Sequence, residues 1–168
     1  ELTLEKFFSK GYYFLVTGSL FDAKYAGTDD VWRNTTYNGR FAANALFAKE
    51  WTFNNKSSLN VGGKFTTVGG RWFGPVDDEK SNQLIEVVYI DETVNTEQDR
   101  PYLRLDLKIN YRINTKRFTH EIAFDAVNVT GRKNILSKTY EPGKDGKGSV
   151  VDQYQLGFFP IFYYKLDF

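Results

Sequence analysis

The 168-residue sequence contains no cysteine and no methionine, and its only histidine is His120. The lack of cysteine excludes a disulfide scaffold and thiol or zinc-thiolate chemistry. One histidine without cysteine also excludes a histidine-rich metal site, and no Ser-His-Asp arrangement stands out around His120. The sequence therefore predicts no catalytic residue, no metal site and no cofactor, and we expect a protein that is not an enzyme.

Long apolar runs and an excess of one charge are missing as well. No stretch of about 18 uncharged apolar residues occurs, which excludes a transmembrane helix. The 22 basic residues nearly balance the 21 acidic ones, so the chain as a whole offers no electrostatic basis for binding nucleic acid. Aromatic residues, in contrast, make up 17% of the sequence. Membrane-spanning strands place such residues at the two membrane interfaces.

Two carboxylate clusters, Asp29-Asp30 and Asp77-Asp78-Glu79, have the chemistry that binds calcium. Neither cluster shows the regular one-three-five spacing of a calcium loop. We therefore expect solvated acidic loops at both places.

Alternation of apolar and polar residues recurs along the chain, with almost no stretch of helical period. It is clearest at residues 102–113, where Leu103 and Leu105 begin an apolar face and Arg104 and Asp106 begin a polar one. This pattern predicts a strand with one apolar and one highly polar side. By the same criterion the sequence predicts seven strands, at about residues 1–8, 12–25, 40–53, 58–73, 102–113, 117–130 and 152–168.

The connections between these strands alternate between short and long. Residues 9–11, 54–56 and 114–116 are tight turns rich in Asn, Gly and Lys, whereas residues 27–39, 74–101 and 131–151 are long polar segments. Short turns at one end and long loops at the other are typical of outer-membrane β-barrels. We therefore predict an all-β fold, a transmembrane antiparallel up-and-down β-barrel. Its C-terminus is expected on the periplasmic side of the bacterial outer membrane.

Seven strands do not close such a barrel, because single-chain bacterial barrels have an even strand number and unpaired backbone groups are costly in lipid. We expect the missing strands to precede Glu1. Residues 1–168 are then the C-terminal part of one larger barrel domain.

Several short motifs carry a family resemblance that spans nearly the whole chain. Phe162, Tyr164, Leu166 and Phe168 lie on one face of the last predicted strand, which resembles the C-terminal signal that the barrel assembly machinery recognises. Other segments resemble the TonB-dependent receptors of Bacteroidota: Ser19-Leu20-Phe21-Asp22-Ala23-Lys24-Tyr25, Trp32-Arg33-Asn34-Thr35 with Asn38-Gly39, Pro101-Tyr102-Leu103-Arg104-Leu105-Asp106, Asp125-Ala126-Val127-Asn128-Val129-Thr130-Gly131-Arg132-Lys133-Asn134, and Tyr154-Gln155-Leu156-Gly157-Phe158-Phe159-Pro160.

This resemblance implies a barrel of about 22 strands, of which the chain supplies the last seven. It also implies an N-terminal plug and a TonB box, neither of which lies within the sequence. The implied function is TonB-dependent import of a scarce nutrient, such as a ferric siderophore, across the outer membrane. The implied partners are outer-membrane lipid, the rest of the barrel with its plug, TonB through the missing N-terminal region, and the barrel assembly machinery through the last strand.

One set of candidate residues is charged and lies on the polar faces of two consecutive predicted strands. We expect these side chains to face the barrel lumen and to pair with one another and with a plug, while direct contact with a passing substrate is the alternative. The set is Arg104, Asp106, Lys108, Arg112, Glu121 and Asp125.

A second set lies in or next to the long loops: Trp32, Arg33, Trp72, Phe73 and Tyr89. Aromatic rings with an arginine suit a siderophore, a sugar ring or a peptide, so these residues are candidates for ligand binding. Trp32 and Trp72 are also interpreted as membrane-interface anchors, and Tyr89 as a residue that packs locally.

Two other functions remain open from the sequence. One is a passive channel or structural barrel without energy coupling. The other is a soluble carbohydrate-binding β-sandwich, because the alternation at residues 102–113 fits a sandwich strand equally well.

Overall fold

The structure, a computed structural model, describes residues 1–54, 56–143 and 147–168. It contains thirteen strands, one short α-helix and one 3-10 turn over Asp91–Thr93 among these residues. In chain order the elements are β1 (Leu2–Ser9), β2 (Tyr12–Leu20), β3 (Lys24–Ala26), β4 (Trp32–Asn34), β5 (Phe41–Phe53), β6 (Ser57–Val68), β7 (Trp72–Phe73), α1 (Asp78–Leu84), β8 (Glu97–Gln98), β9 (Tyr102–Asn114), β10 (Thr119–Val127), β11 (Ile135–Glu141), β12 (Ser149–Tyr154) and β13 (Phe159–Asp167).

Seven of the strands form one antiparallel sheet in the order β1-β2-β5-β6-β9-β10-β13. Each long strand therefore pairs with the next long strand along the chain, as in a meander. The pairs β3–β4, β7–β8 and β11–β12 form separate two-stranded sheets. The described residues thus contain a single large sheet, whereas a sandwich needs two large sheets packed face to face.

All seven predicted strands contain one strand of this sheet, which confirms the all-β antiparallel prediction. Three of the predicted strands, however, extend five or more residues beyond the observed strand at one end. The predicted strand 12–25 ends at Leu20, because the backbone N–H of Ala23 donates to Asn38 Oδ1 at 2.9 Å and turns the chain away from the sheet. Residues beyond it pair as β3 with β4 instead.

The predicted strand 58–73 ends at Val68 for a steric reason. The backbones of Gly69 and Gly39 approach each other so closely that a Cβ on Gly69 would collide with the carbonyl oxygen of Gly39. Only glycine permits this approach. Beyond it, Trp72 leaves the sheet and pairs with Gln98.

The predicted strand 152–168 is also wrong in its first part. Only β13, Phe159–Asp167, joins the large sheet, while residues 149–154 form β12 and pair with β11. The segment 131–151, which the sequence predicts as a loop, therefore holds most of a β-hairpin. Lys144, Asp145 and Gly146 of that segment lie outside the described residues.

The two ends of the large sheet differ as the sequence predicts. β1 and β2 are joined by Lys10 and Gly11, both with positive φ, and β9 and β10 are joined by a turn in which Thr115 N–H donates to the Phe118 carbonyl. The predicted turn 54–56 includes Asn55, which lies outside the described residues; the flanking pair Phe53 and Ser57 closes the β5–β6 ladder. We call the end of the sheet that carries these three tight turns the turn end, and the opposite end the loop end.

The two faces of the sheet differ as strongly. Ile109, Ile122, Phe162 and Tyr164 lie on one face and are exposed. Among the described residues, the buried apolar side chains are only three alanines, Ala48, Ala123 and Ala126. A soluble domain of this size buries roughly two thirds of the surface of its unfolded chain around an apolar core. This sheet has no such core, and its large apolar side chains lie on its surface.

Across the described residues, no helix is long and apolar enough to span a membrane.

Candidate functional site

The charged set predicted on the polar faces of two strands forms three ion pairs. The register places Arg112 opposite Glu121 and Lys108 opposite Asp125, and the respective N···O distances are 3.0 and 3.5 Å. Arg104 pairs with Asp106 two residues along the same strand, at 2.7 Å. All six residues therefore lie on one face of β9 and β10, opposite to the face of Ile109.

Tyr163 on β13 links two of these ion pairs and was not among the predicted site residues. Lys108 Nζ donates to its hydroxyl at 3.0 Å, and the hydroxyl donates to Glu121 Oε1 at 3.0 Å. Asn110 Nδ2 also donates to Glu121 Oε1, at 3.2 Å. Glu121 is only 8% exposed, so its carboxylate is held almost entirely by these partners. Alternation along β13 places Tyr163 on the face opposite to that of Phe162. This alternation is the sequence signal that identifies Tyr163 as part of the polar face.

The three long connections at the loop end contact one another and form what we call the loop layer: residues 21–40, 69–101, 128–143 and 147–158. The first two connections are joined where Trp72 N–H donates to the Thr36 carbonyl at 2.8 Å and Asn95 Nδ2 donates to the Asn34 carbonyl at 2.7 Å. The last two are joined where the Tyr140 hydroxyl donates to Asn82 Oδ1 at 2.8 Å.

Asn38 is the most enclosed residue of this layer, with no exposed surface. Its Nδ2 donates to Asp22 Oδ1 at 2.7 Å and to Asn34 Oδ1 at 2.9 Å, and its Oδ1 accepts the Ala23 N–H. Its carbonyl accepts the indole N–H of Trp72 at 2.7 Å. The side chain of Asn38 thus fixes the shape of the first connection, and its backbone carbonyl joins that connection to the second.

Asn128 and Asn134, both nearly buried, anchor the third connection. Asn134 donates to the carbonyl of Leu103 at 2.9 Å and accepts its N–H at 3.0 Å, in the way that a paired strand residue would. Asn128 has a positive φ and ends β10; its Nδ2 donates to the carbonyls of Arg132 and Leu156. Both asparagines belong to the motif at residues 125–134.

Three of the predicted ligand-binding residues, Trp72, Phe73 and Tyr89, line one cavity of about 430 Å³ in the loop layer. Residues of all three connections contribute to it. Its volume lies within the usual size range of small-molecule sites. A single antiparallel backbone bridge joins Tyr89 to Val76 beside this cavity. The cavity is lined by Thr36, Arg71, Trp72, Phe73, Gly74, Tyr89, Asp91, Val94, Asn95, Asp99, Ser137 and Lys138.

Both cations of this cavity have carboxylate partners. Arg71 pairs with Asp99 at 3.6 Å, and Lys138 pairs with Asp152 at 3.0 Å. Lys138 Nζ also lies 4.4 Å from the centroid of the Phe73 ring, in cation–π geometry. An anionic ligand would have to displace these carboxylates, whereas a neutral ring could lie against the aromatic side chains without doing so.

Trp32 and Arg33, the other two predicted residues, line a neighbouring cavity of about 280 Å³ that shares Trp72 with the first. The guanidinium of Arg33 donates to both carboxylate oxygens of Asp29, at 3.0 and 2.6 Å. Together with the N–H of Val31, it lowers the pKa of Asp29 from 3.8 to about 2. Arg33 is thus engaged within its own hairpin, while Trp32 is 71% exposed.

Two of the acidic loop residues, Asp29 and Asp77, have local structural partners. Asp77 is the N-cap of α1, where its side chain accepts the N–H of Lys80 at 3.0 Å. This hydrogen bond lowers the pKa of Asp77. Within the described residues, no group of three or more His, Cys, Asp or Glu side chains could hold a metal ion.

The C-terminal residues Phe162, Tyr164 and Leu166 lie on the exposed apolar face, as the alternation predicts. The rings of Phe162 and Phe124 are 4.6 Å apart. Phe168 follows β13 at the turn end and is 97% exposed.

No family model, no curated protein and no solved structure matches this chain.

Proposed function

We propose that this chain is the C-terminal part of a transmembrane β-barrel in the bacterial outer membrane, and that the whole protein imports a scarce nutrient with energy from TonB. The observation that carries the proposal is the contrast between the two faces of the sheet. One face exposes large apolar side chains along β1, β2, β5, β9, β10 and β13, and the opposite face holds the ion pairs of β9 and β10.

Lipid explains this contrast better than water does. Apolar side chains stabilise a sheet only when they leave water, at about 25 cal/mol per Å² of apolar surface removed. Acyl chains supply that environment without an apolar core inside the protein. The strands β5, β6 and β9, each with 12 or 13 residues, are long enough to cross the hydrocarbon layer at a tilt.

Closure of the barrel requires further strands. β1 and β13 are the edge strands of the described sheet, and each has one neighbour only. Unpaired backbone groups at such edges are costly in lipid, so both edges are expected to pair with strands from the rest of the barrel. The ion pairs on the polar face then face the lumen, where a plug would contact them.

The turn end is assigned to the periplasm and the loop layer to the cell exterior, by analogy with barrels that have short periplasmic turns. Phe168 lies at the turn end, where the barrel assembly machinery would recognise it with Phe162, Tyr164 and Leu166. The loop-layer cavity is the candidate contact for the nutrient. Its paired cations favour a neutral ring of that nutrient, such as a ring within a ferric siderophore.

Single-cysteine labelling tests the orientation, because the chain has no cysteine of its own. Glu79→Cys lies in α1 of the loop layer and Lys116→Cys lies in the β9–β10 turn, and both positions are exposed. In full-length protein without other reactive cysteines, a membrane-impermeant maleimide should label Glu79→Cys on intact cells. It should label Lys116→Cys only after the outer membrane is opened. Equal labelling of both variants on intact cells would contradict the barrel.

Nutrient uptake in a strain without TonB tests the coupling separately. Active import predicts that uptake falls to the level of a strain that lacks this protein. A passive channel predicts unchanged uptake. A full-length polypeptide without a plug and TonB box would also rule out coupled transport while leaving the barrel intact.

A further inference from the structure

Two lysines lie on the apolar face of the sheet at its turn end. Lys6 is paired in register with Phe14 on β2, and Lys49 of β5 is paired with Tyr12. Phe14 in turn pairs with Phe47, so Lys6 and Lys49 share the face of that exposed ring. A cation on a largely apolar face is unusual, and two on the strands that flank β2 point to a common partner.

Both ammonium groups lie over the same aromatic ring. Lys6 Nζ is 3.8 Å from the centroid of Tyr12, and Lys49 Nζ is 5.5 Å from it. Lys6 Nζ also donates to the carbonyls of Ser9 and Tyr12, and Lys49 Nζ donates to the carbonyl of Lys10 at 3.1 Å. The β1–β2 turn thus gathers two positive charges beside Tyr12. We call Lys6, Tyr12 and Lys49 the lysine clamp.

The lysine clamp has no carboxylate partner among the described residues. The ion pairs found there involve other cations: Lys24, Arg33, Arg71, Lys80, Arg104, Lys108, Arg112, Lys138 and Lys165. Backbone carbonyls orient the two ammonium groups but do not neutralise their charge. The clamp is therefore complementary to an anion that approaches along the apolar face.

The surroundings of the clamp indicate what carries that anion. Three aromatic rings share the face of Lys49 on β5, and each is between 44% and 51% exposed. Phe47 precedes Lys49, on the side away from the turn end, whereas Trp51 and Phe53 follow it toward the turn end. Lys49 Nζ lies 6.0 Å from the ring of Trp51. A ligand with a negative headgroup and long apolar chains would contact the ammonium groups and, along its chains toward mid-depth, the Phe47 ring, whereas a free anion would use the ammonium groups alone.

We propose that the lysine clamp binds the headgroup phosphate of an anionic phospholipid in the periplasmic leaflet. This inference rests on the proposed function, since it requires the apolar face to lie in a membrane with the turn end at its periplasmic surface. Phosphate at that depth meets both cations, and each lysine near an anionic surface strengthens attachment severalfold. The acyl chains of the same lipid lie along Phe47 and toward mid-depth.

The test uses full-length protein purified from the outer membrane in detergent, with phosphatidylglycerol as the probe. Native mass spectrometry measures its binding to wild type, to Lys6→Gln/Lys49→Gln, and to Lys116→Gln/Arg117→Gln. The last variant removes the same number of charges at the same end, but in the β9–β10 turn. The clamp variant should bind phosphatidylglycerol about tenfold more weakly, and the turn variant should remain within about twofold of wild type. Lys6→Arg/Lys49→Arg keeps both charges and should retain binding.

Any of the following results would overturn the clamp. These are equal binding by wild type and the clamp variant, equal loss in the clamp and turn variants, or equal retention of phosphatidylcholine and phosphatidylglycerol by wild type. Displacement of the lipid by millimolar inorganic phosphate would identify a free-anion site and would also overturn it. If the double variant does not assemble, Lys49→Gln alone should show a smaller loss. Outer-membrane location is scored in each arm, so a failed barrel is distinguished from a failed clamp.

Discussion

On one face of the seven-stranded sheet, Ile109 and Phe162 are exposed, while on the other Glu121 is almost buried by its hydrogen-bond partners. A soluble sheet shows the reverse, with apolar side chains enclosed and charges in water. The difference shows that this sheet's polar side chains are satisfied internally, whereas its apolar side chains have few partners among the described residues. Each face should therefore respond to mutation in its own way.

The largest effect is expected from a charge on the apolar face. Leu107→Arg, near the centre of β9 and farther from the turn end than Lys49 is along β5, should destabilise the membrane-inserted protein by about 2–4 kcal/mol, the cost of arginine at mid-depth in lipid. Asn110→Arg, three residues along the same strand, is the matched control, because its side chain points to the polar face beside Glu121. Urea unfolding of the full-length protein in lipid vesicles measures both. Similar destabilisation by the two variants would remove the distinction between the faces.

Loss of a charge from the polar face should cost somewhat less. Glu121→Ala leaves the half-exposed Arg112 guanidinium and the Tyr163 hydroxyl without their acceptor, and a hydrogen bond to a charged group contributes about 1.5–3 kcal/mol. Tyr163→Phe removes only the hydroxyl and should have a smaller effect. The same unfolding assay ranks them. If Glu121→Ala were as stable as wild type, the ion pairs would not be part of the stabilising network.

A more local effect is expected in the loop layer. Asn38→Ala removes the side-chain hydrogen bonds to Ala23, Asp22 and Asn34. The free energy needed to open the first connection should therefore fall by about 1–3 kcal/mol. Hydrogen–deuterium exchange should rise at residues 21–40 and remain unchanged in β9 and β10. Asn95→Ala, which removes one hydrogen bond to Asn34, is the control with the smaller increase. Uniform exchange changes would show that the layer and the sheet are not separate units.

The smallest effect is a pH dependence in the β3–β4 hairpin. The pKa of Asp29 is lowered to about 2, so its carboxylate pairs with Arg33 above about pH 4 and loses that pair as the pH falls toward 2. Exchange of the Val31 N–H, which donates to Asp29 Oδ1, should increase across this window beyond its intrinsic pH dependence. Asp29→Asn should show no such additional change. An identical profile for both proteins would contradict the assignment.

Local alternation was sufficient to predict the long strands. Leu103 and Arg104 begin a pattern that continues to the end of β9, and the tight turns around Gly11 and Thr115 fix where strands reverse. The same pattern overextended three strands, because Tyr25 and Phe73 follow two of them and Leu156 precedes the third, all outside the large sheet. What ends the strands is long-range: the Gly39–Gly69 approach and the buried Asn38 join residues far apart in sequence.

The site was predictable residue by residue but not as an assembly. The sequence identifies Trp72, Phe73 and Tyr89 as candidates, yet their common cavity depends on contacts between three connections. Similarly, the charges of β9 and β10 could be assigned to one face, but Tyr163 enters their network only through the pairing of β10 with β13. The hairpin of β11 and β12 was missed because its strands pair only with each other.

The enclosure of Asn38 also bears on the chemical lifetime of the protein. Asn38 precedes Gly39, and Asn-Gly sequences deamidate readily when the glycine nitrogen can attack the asparagine side-chain carbonyl. In the folded loop layer the Gly39 N–H donates to the Tyr37 carbonyl at 2.7 Å, and the Asn38 amide is held by three partners. The attack requires both groups to be released. Succinimide formation at Asn38 therefore records how often the layer opens, and aged protein carries that record as isoaspartate at position 38.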